Sequence, residues 1–178
     1  PVFAPGTGFQ YSNTNTILLG LLVEKISGQP LAGYFGEHIL APLHLAHTSF
    51  PAGAEFPGPH AQGYTELADD GPPVIATDWN TSWSWSAGAM ISTLDDMHTW
   101  APAVATGTLL SPAMQRQRLQ TVNEDGFPAD YGYGLGIFNI GGWIGHNGSL
   151  PGYQAVVVYE PQSQTSLVIL TNTDISPP

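Results

Sequence analysis

A tyrosine, a serine and an asparagine stand together near the start of the chain, where they could move a proton and hold an amide. Tyr11, Ser12 and Asn13 lie within the segment GFQYSNTNTILLGLLVEKISG, just before an apolar stretch. A tyrosine hydroxyl can transfer a proton when a nearby cation lowers its pKa, and an asparagine side chain can donate and accept at one substrate amide. Taken alone, the cluster is more typical of a structural role, because Ser and Asn are common helix N-caps.

A second polar cluster, His146-Asn147-Gly148-Ser149, falls in a segment with strand character. Glycine in a strand often marks the close approach of a ligand or another backbone. A neighbouring histidine can supply a proton or a local positive charge. A single His-x-Gly is weak evidence, and by itself it favours a histidine at a strand edge.

The other histidines predict no metal site, and no cofactor is expected. His44 and His47 are three residues apart, but they follow Pro42, where a helix is expected to have ended. No Asp or Glu stands at a spacing that would complete a zinc site.

A helix is expected to position the first cluster. Asn13 or Thr14 can cap a helix that runs to about Ser27, and Gly28 is the usual kind of residue for its end. The remaining predictions for this half are a helix over residues 31–40, a surface excursion over residues 51–82, a helix with a Thr93/Asp96 capping box running to about Val104, and a short helix starting at Ser111-Pro112.

A sheet is expected to position the second cluster. After the turn-like segment NEDGFPAD, which begins at Asn123, the chain becomes β-branched, aromatic and rich in glycine. The segments YGYGLGIF, GGWIGHNG, GYQAVVVYE and TSLVILTNT predict an antiparallel meander of three or four strands. Helices followed by strands indicate an α+β fold. Residues 1–122 would form a helical subdomain and residues 123–178 the strands, both within one domain.

The charge balance excludes several classes of partner. The 178 residues include 3 basic and 14 acidic side chains, for a formal net charge of −11. Three cations cannot form the basic patch that nucleic acids or anionic membrane surfaces require, and no apolar run approaches the ~20 residues of a membrane span. The chain has no cysteine, which excludes disulfides and thiolate metal sites.

The order of four motifs resembles the serine β-lactamase and penicillin-binding-protein superfamily. They are Tyr-Ser-Asn at Tyr11, Ser-Ala-Gly at Ser86, Tyr-Gly-x-Gly-Leu-Gly at Tyr131 and His-x-Gly at His146. The branch that they resemble contains class C β-lactamases, secreted D-alanyl-D-alanine carboxypeptidases and related esterases. The resemblance covers nearly the whole chain. It implies a β-lactamase-like fold, a helical subdomain plus an antiparallel sheet, present here as an incomplete piece.

The resemblance also implies roles for individual residues. Tyr11 would move the proton between nucleophile and leaving group, and Asn13 would position the substrate amide or ester. His146 would take the place of the lysine in the Lys-Thr-Gly motif of many relatives. Gly148 would let the acyl group lie along the strand. The Ser149 backbone N–H would donate to the oxyanion, a contact worth roughly 3–4 kcal/mol in other acyl-transfer enzymes.

Two further positions follow from the same resemblance. Trp83 falls where relatives have an aromatic wall of the cleft, although a core tryptophan is an equal alternative. Asn147 stands where the third motif of the wall carboxypeptidases usually has a hydroxyl, and residues 137–145 contain no Arg or Lys. A free substrate carboxylate would then be poorly compensated, which favours neutral esters or amides.

The first motif of the superfamily, Ser-x-x-Lys, is absent. The one lysine is Lys25, and Leu22 stands three residues before it. The chain is therefore expected to be an internal piece of a longer protein and inactive alone. Val156, Val157 and Val158 place apolar side chains on both faces of the sheet, which would need cover on both sides. The expected partner is the remainder of the parent chain or a second copy.

Three functional hypotheses remain at this stage. The first is part of a serine hydrolase that forms an acyl-enzyme with D-alanyl peptides, small esters or β-lactams. The second is a non-catalytic relative that keeps the cleft for binding or regulation. The third is an unrelated α+β binding domain. The resemblance implies an extracytoplasmic or secreted protein whose ligand is a small molecule or peptide.

Overall fold

The computed structural model describes residues 1–66, 71–123, 128 and 130–175. Most of the predicted turn NEDGFPAD lies outside the described residues. The helices are α1 (Asn13–Ser27), α2 (Leu31–Phe35, continued by a π-helical turn at Gly36–Leu40), α3 (Leu94–Thr106) and α4 (Pro112–Arg118). The strands are β1 (Tyr64–Thr65), β2 (Val74–Ile75), β3 (Tyr131–Tyr133), β4 (Phe138–Ile140), β5 (Trp143–Leu150), β6 (Tyr153–Glu160) and β7 (Thr165–Thr171).

Helix α1 has the predicted length, but its N-cap differs from the prediction. Ser12 occupies the N-cap position with extended backbone, and its side chain makes no capping hydrogen bond. The prediction of Asn13 or Thr14 as the cap is wrong, because both residues already lie inside the helix. At the other end, Gly28 adopts a φ of 70° and its N–H bonds to the carbonyl of Glu24, as a glycine C-cap does.

The segment at 51–82 contains a short ribbon that is tied to the sheet. Strands β1 and β2 pair antiparallel, and Tyr64 forms a bridge with Thr173 beyond β7. The hydroxyl of Tyr153 on β6 donates to the carbonyl of Ala61 at 2.8 Å. The sequence gives no sign of this ribbon, which brings a segment predicted as a surface excursion against the edge of the sheet.

Helix α3 begins at the predicted cap, with half of the predicted capping box. Thr93 accepts a hydrogen bond from the Asp96 backbone N–H through its side chain. The buried carboxylate of Asp96 instead accepts from the His47 backbone N–H at 2.9 Å and from the Thr48 hydroxyl at 2.6 Å. Asp96 therefore joins the start of α3 to the loop after α2.

Strands β3 to β7 form one antiparallel sheet in sequence order. The segment YGYGLGIF supplies two of these strands, because the chain reverses at Gly136, which has a φ of 67°. Helix α3 packs against β5, β6 and β7. The core between helix and sheet contains Val104, Ala105, Ile137 and Ile144, with Trp100, Leu119 and Tyr159 packed against it.

Apolar side chains remain exposed elsewhere on the described residues. Helix α1 carries Leu18, Leu19, Leu21, Leu22 and Ile26, all about half exposed or more. Leu167 and Ile169 on β7 are also exposed. Among the described residues, no helix combines the length and the hydropathy needed to cross a bilayer.

Candidate active site

One cleft holds all seven residues to which the sequence assigns a role. Its volume is about 390 Å³, and it lies between the start of α1, the segments 53–56 and 76–92, and the ends of β5, β6 and β7. The candidate residues that line it are Tyr11, Asn13, Trp83, His146, Asn147, Gly148 and Ser149. The two polar clusters, which are far apart in sequence, therefore face the same space.

Tyr11 and His146 are neighbours across this cleft. Their ring centroids are 6.0 Å apart, with the ring planes inclined by 38°. Tyr11 is 51% exposed and lines the cleft. The two rings therefore face the same cleft, and the hydroxyl that is hydrogen-bonded to His146 belongs to a different tyrosine.

Tyr133 on β3 is the site residue that sequence reasoning missed. Its hydroxyl lies 2.7 Å from Nε2 of His146, and its ring meets the Tyr11 ring edge-on with centroids 5.8 Å apart. Burial raises the pKa of Tyr133 to about 12, with smaller contributions from Tyr11 and Tyr131. The hydroxyl therefore stays protonated at neutral pH. Tyr133 falls in the Tyr-Gly-x-Gly segment, but nothing local there indicates a histidine partner.

The second nitrogen of His146 is also held by the protein. Nδ1 lies 2.5 Å from the backbone carbonyl of Asn147. A carbonyl oxygen can only accept, so Nδ1 must carry a proton. In the neutral imidazole, Nε2 is then the acceptor, and the Tyr133 hydroxyl donates a hydrogen bond to it.

Gly148 faces open space on the cleft side of β5. A side chain built at this position would meet no other atom within 4 Å. At Gly145, three residues earlier on the same strand, a Cβ would collide with the backbone of Val157 and Val158. The absence of a side chain at Gly148 thus leaves room in the cleft, whereas at Gly145 it permits strand packing.

Trp83 belongs to the wall of the cleft and not to the core. It is 63% exposed, and Trp79 and Met90 line the same cavity. The alternative of a core tryptophan is therefore wrong. This wall offers an apolar and aromatic surface to a bound molecule.

The charge of the cleft lining is sparse and negative. Among the described residues that line it, Glu55 is the one carboxylate, and no lysine or arginine is present. Glu55 accepts a hydrogen bond from the Gly53 backbone N–H at 2.6 Å. No group of three or more His, Asp or Glu side chains among the described residues is arranged to hold a metal ion.

The helices, the antiparallel sheet and the cleft between them define a β-lactamase-like fold. A family model described as Beta-lactamase matches residues 1–178. The chain belongs to the β-lactamase family, within the superfamily of serine β-lactamases and penicillin-binding proteins.

Individual relatives agree with this assignment. A D-stereospecific amidohydrolase from Streptomyces sp. superposes with a TM-score of 0.91 at 30% identity, covering 98% of this chain and 53% of that chain. Protein Flp of Staphylococcus aureus (strain MRSA252) is 28% identical over 94% of this chain and 34% of its own length. A D-aminopeptidase of Cereibacter sphaeroides (strain ATCC 17029 / ATH 2.4.9) is 26% identical over 98% of this chain and 34% of its own length. The chain thus spans about a third of the curated relatives and about half of the solved structure.

Proposed function

We propose that the protein containing this chain is a serine hydrolase that forms an acyl-enzyme with amides, peptides or esters of D-amino acids. The observation that carries the proposal is the single cleft in which Tyr11, Asn13, His146 and Gly148 meet. The names of two similar proteins, a D-stereospecific amidohydrolase and a D-aminopeptidase, support the choice of D-amino acid derivatives.

The proposed reaction has two steps. A serine oxygen attacks the substrate carbonyl carbon, its proton passes through Tyr11 to the leaving nitrogen or oxygen, and the bond to the leaving group breaks. Water then adds to the acyl-enzyme ester and releases the acid. Asn13 holds the substrate amide, and the Ser149 N–H donates to the oxyanion of each tetrahedral intermediate.

The nucleophile is assigned to a serine outside residues 1–178. No Ser-x-x-Lys tetrapeptide occurs in the sequence, and this motif supplies the nucleophile and its proton acceptor in the superfamily. We therefore expect acyl transfer from the whole protein and none from this chain alone.

The charge of the cleft favours neutral or amine-bearing substrates over carboxylates. No lysine or arginine lines the described part of the cleft, and Glu55 adds a negative charge. A terminal carboxylate would lose water without gaining a cationic partner. A protonated α-amino group, in contrast, would be attracted by Glu55.

A matched substrate panel tests the proposal in the whole protein. We expect hydrolysis of a D-alanine anilide with a free amine, slower hydrolysis of its L-enantiomer, and little release of D-alanine from an acyl-D-alanyl-D-alanine peptide. Glu55→Gln should raise KM for the free-amine D-alanine anilide roughly two- to fivefold. It should leave KM for the N-acetylated form of the same anilide unchanged. Efficient release of D-alanine from the peptide would contradict the proposal.

A further inference from the structure

The imidazole of His146 has no nitrogen left for a substrate. Nε2 is hydrogen-bonded to the Tyr133 hydroxyl at 2.7 Å, and Nδ1 is hydrogen-bonded to the Asn147 carbonyl. The ring is also in contact with Phe138 and Tyr11, at centroid distances of 5.6 and 6.0 Å. Although His146 lines the cleft, its hydrogen-bonding groups are therefore both directed at the protein.

We infer that Tyr133 is a positioning residue that, together with the Asn147 carbonyl, fixes the His146 ring beside Tyr11, so that His146 makes no direct hydrogen bond to the substrate. The hydrogen bonds that carry the inference exist without substrate. Only its kinetic consequence rests on the proposed function.

The Tyr133–His146 hydrogen bond can persist through a change of protonation. With a neutral imidazole, the Tyr133 hydroxyl donates to Nε2. With an imidazolium, Nε2–H donates and the Tyr133 oxygen accepts, while Nδ1–H stays on the Asn147 carbonyl. His146 can thus keep both hydrogen bonds in either protonation state without turning its ring, which holds the imidazole in place beside Tyr11.

Tyr133 contacts both His146 and Tyr11 without lining the cleft itself. It is absent from the residues that line the cleft, and its ring contacts Phe9 and Tyr11 at centroid distances of 5.3 and 5.8 Å. Phenylalanine at this position would keep those ring contacts and remove only the hydroxyl. The substitution Tyr133→Phe therefore separates the hydrogen bond from packing.

Nitrogen NMR of the imidazoles tests the inference in the whole protein. The His146 signals are assigned by their loss in His146→Ala and recorded at a pH where the ring is neutral. We expect the wild type to show Nδ1 protonated and Nε2 unprotonated and hydrogen-bonded. Tyr133→Phe should keep Nδ1 protonated, because the Asn147 carbonyl still accepts its hydrogen bond, but should shift the Nε2 signal because that nitrogen loses its donor. A wild-type ring with Nε2 protonated, or an unchanged Nε2 signal in Tyr133→Phe, would overturn the inference.

Kinetics with a D-amino acid amide supply the second readout. We expect Tyr133→Phe to lower kcat roughly three- to tenfold with little change in KM, because the hydroxyl touches no substrate. Tyr159→Phe, on β6 of the same sheet, is the matched control and should keep the wild-type kcat. An unchanged kcat in an active Tyr133→Phe enzyme would count against the inference. If the wild type cleaves no amide, the proposed function fails and the NMR spectrum still decides the role of Tyr133.

Discussion

Gly145 and Gly148 lie three residues apart on β5, but Gly145 is tightly packed against its neighbour strand and Gly148 faces open space. A Cβ at Gly145 would overlap the Val157 backbone, whereas a Cβ at Gly148 would point into open space. The first glycine therefore serves the pairing of β5 with β6, and the second keeps a path clear for substrate.

Replacing Gly148 should separate folding from activity. Gly148→Val is expected to leave the free energy of unfolding unchanged or slightly raised, since valine suits a strand. Its side chain would displace the acyl group from the strand and reduce kcat/KM by roughly a hundredfold. Urea unfolding and amide hydrolysis measure the two effects. Gly145→Ala is the control, with an expected loss of stability of roughly 1–3 kcal/mol. A fully active Gly148→Val enzyme would show that the acyl group does not lie against Gly148.

The pKa of Tyr133 predicts a difference in alkaline stability. Its native pKa is raised from 10.0 to about 12 by burial, so the unfolded chain loses this proton first as the pH rises. The contribution of Tyr133 to the free energy of unfolding is complete below pH 10 and falls as the pH rises toward 12. Urea unfolding across that range should show a steeper decline for the wild type than for Tyr133→Phe. Parallel declines would mean that the hydroxyl is not buried as described.

At the scale of elements, Asp96 links α3 to the loop after α2. Its buried carboxylate accepts hydrogen bonds from the His47 N–H and the Thr48 hydroxyl. Asp96→Ala would leave both donors without this acceptor, at a cost of roughly 2–4 kcal/mol. Urea unfolding measures this loss, and Asp96→Asn, which keeps one carbonyl acceptor, should cost less. Equal stability of Asp96→Ala and the wild type would show that the link contributes nothing.

The elements with local signals could be predicted from the sequence, and the contacts between them could not. The span of α1 follows from Gly28, and the start of α3 from Thr93, because each signal acts within one turn. The division of YGYGLGIF into two strands depends on a reversal at Gly136 that strand propensity does not reveal. The Tyr133–His146 hydrogen bond depends on the pairing of β3, β4 and β5, which no local pattern specifies.

At the scale of the whole molecule, the exposed apolar residues of α1 and β7 predict association. Leu18 and Ile26 are 59% and 77% exposed, and a soluble monomer rarely leaves a large apolar patch uncovered. We propose that the rest of the protein, or a second copy, covers these faces. Light scattering on the isolated 178-residue chain at micromolar concentration should give a mass above that of a monomer. Leu22→Gln combined with Ile26→Gln should reduce it. A stable monomer would show that these faces need no cover.

Covalent labelling is the most direct test of the central claim that the cleft serves a serine hydrolase that forms an acyl-enzyme. The whole protein and the 178-residue chain are incubated separately with a fluorescent, activated D-amino acid ester, and the adducts are located by mass spectrometry. We predict one stoichiometric acyl adduct on a serine of the whole protein outside residues 1–178, reduced in Tyr11→Phe, and none on the isolated chain. An adduct on a serine within residues 1–178, or no adduct on the whole protein, would contradict the account.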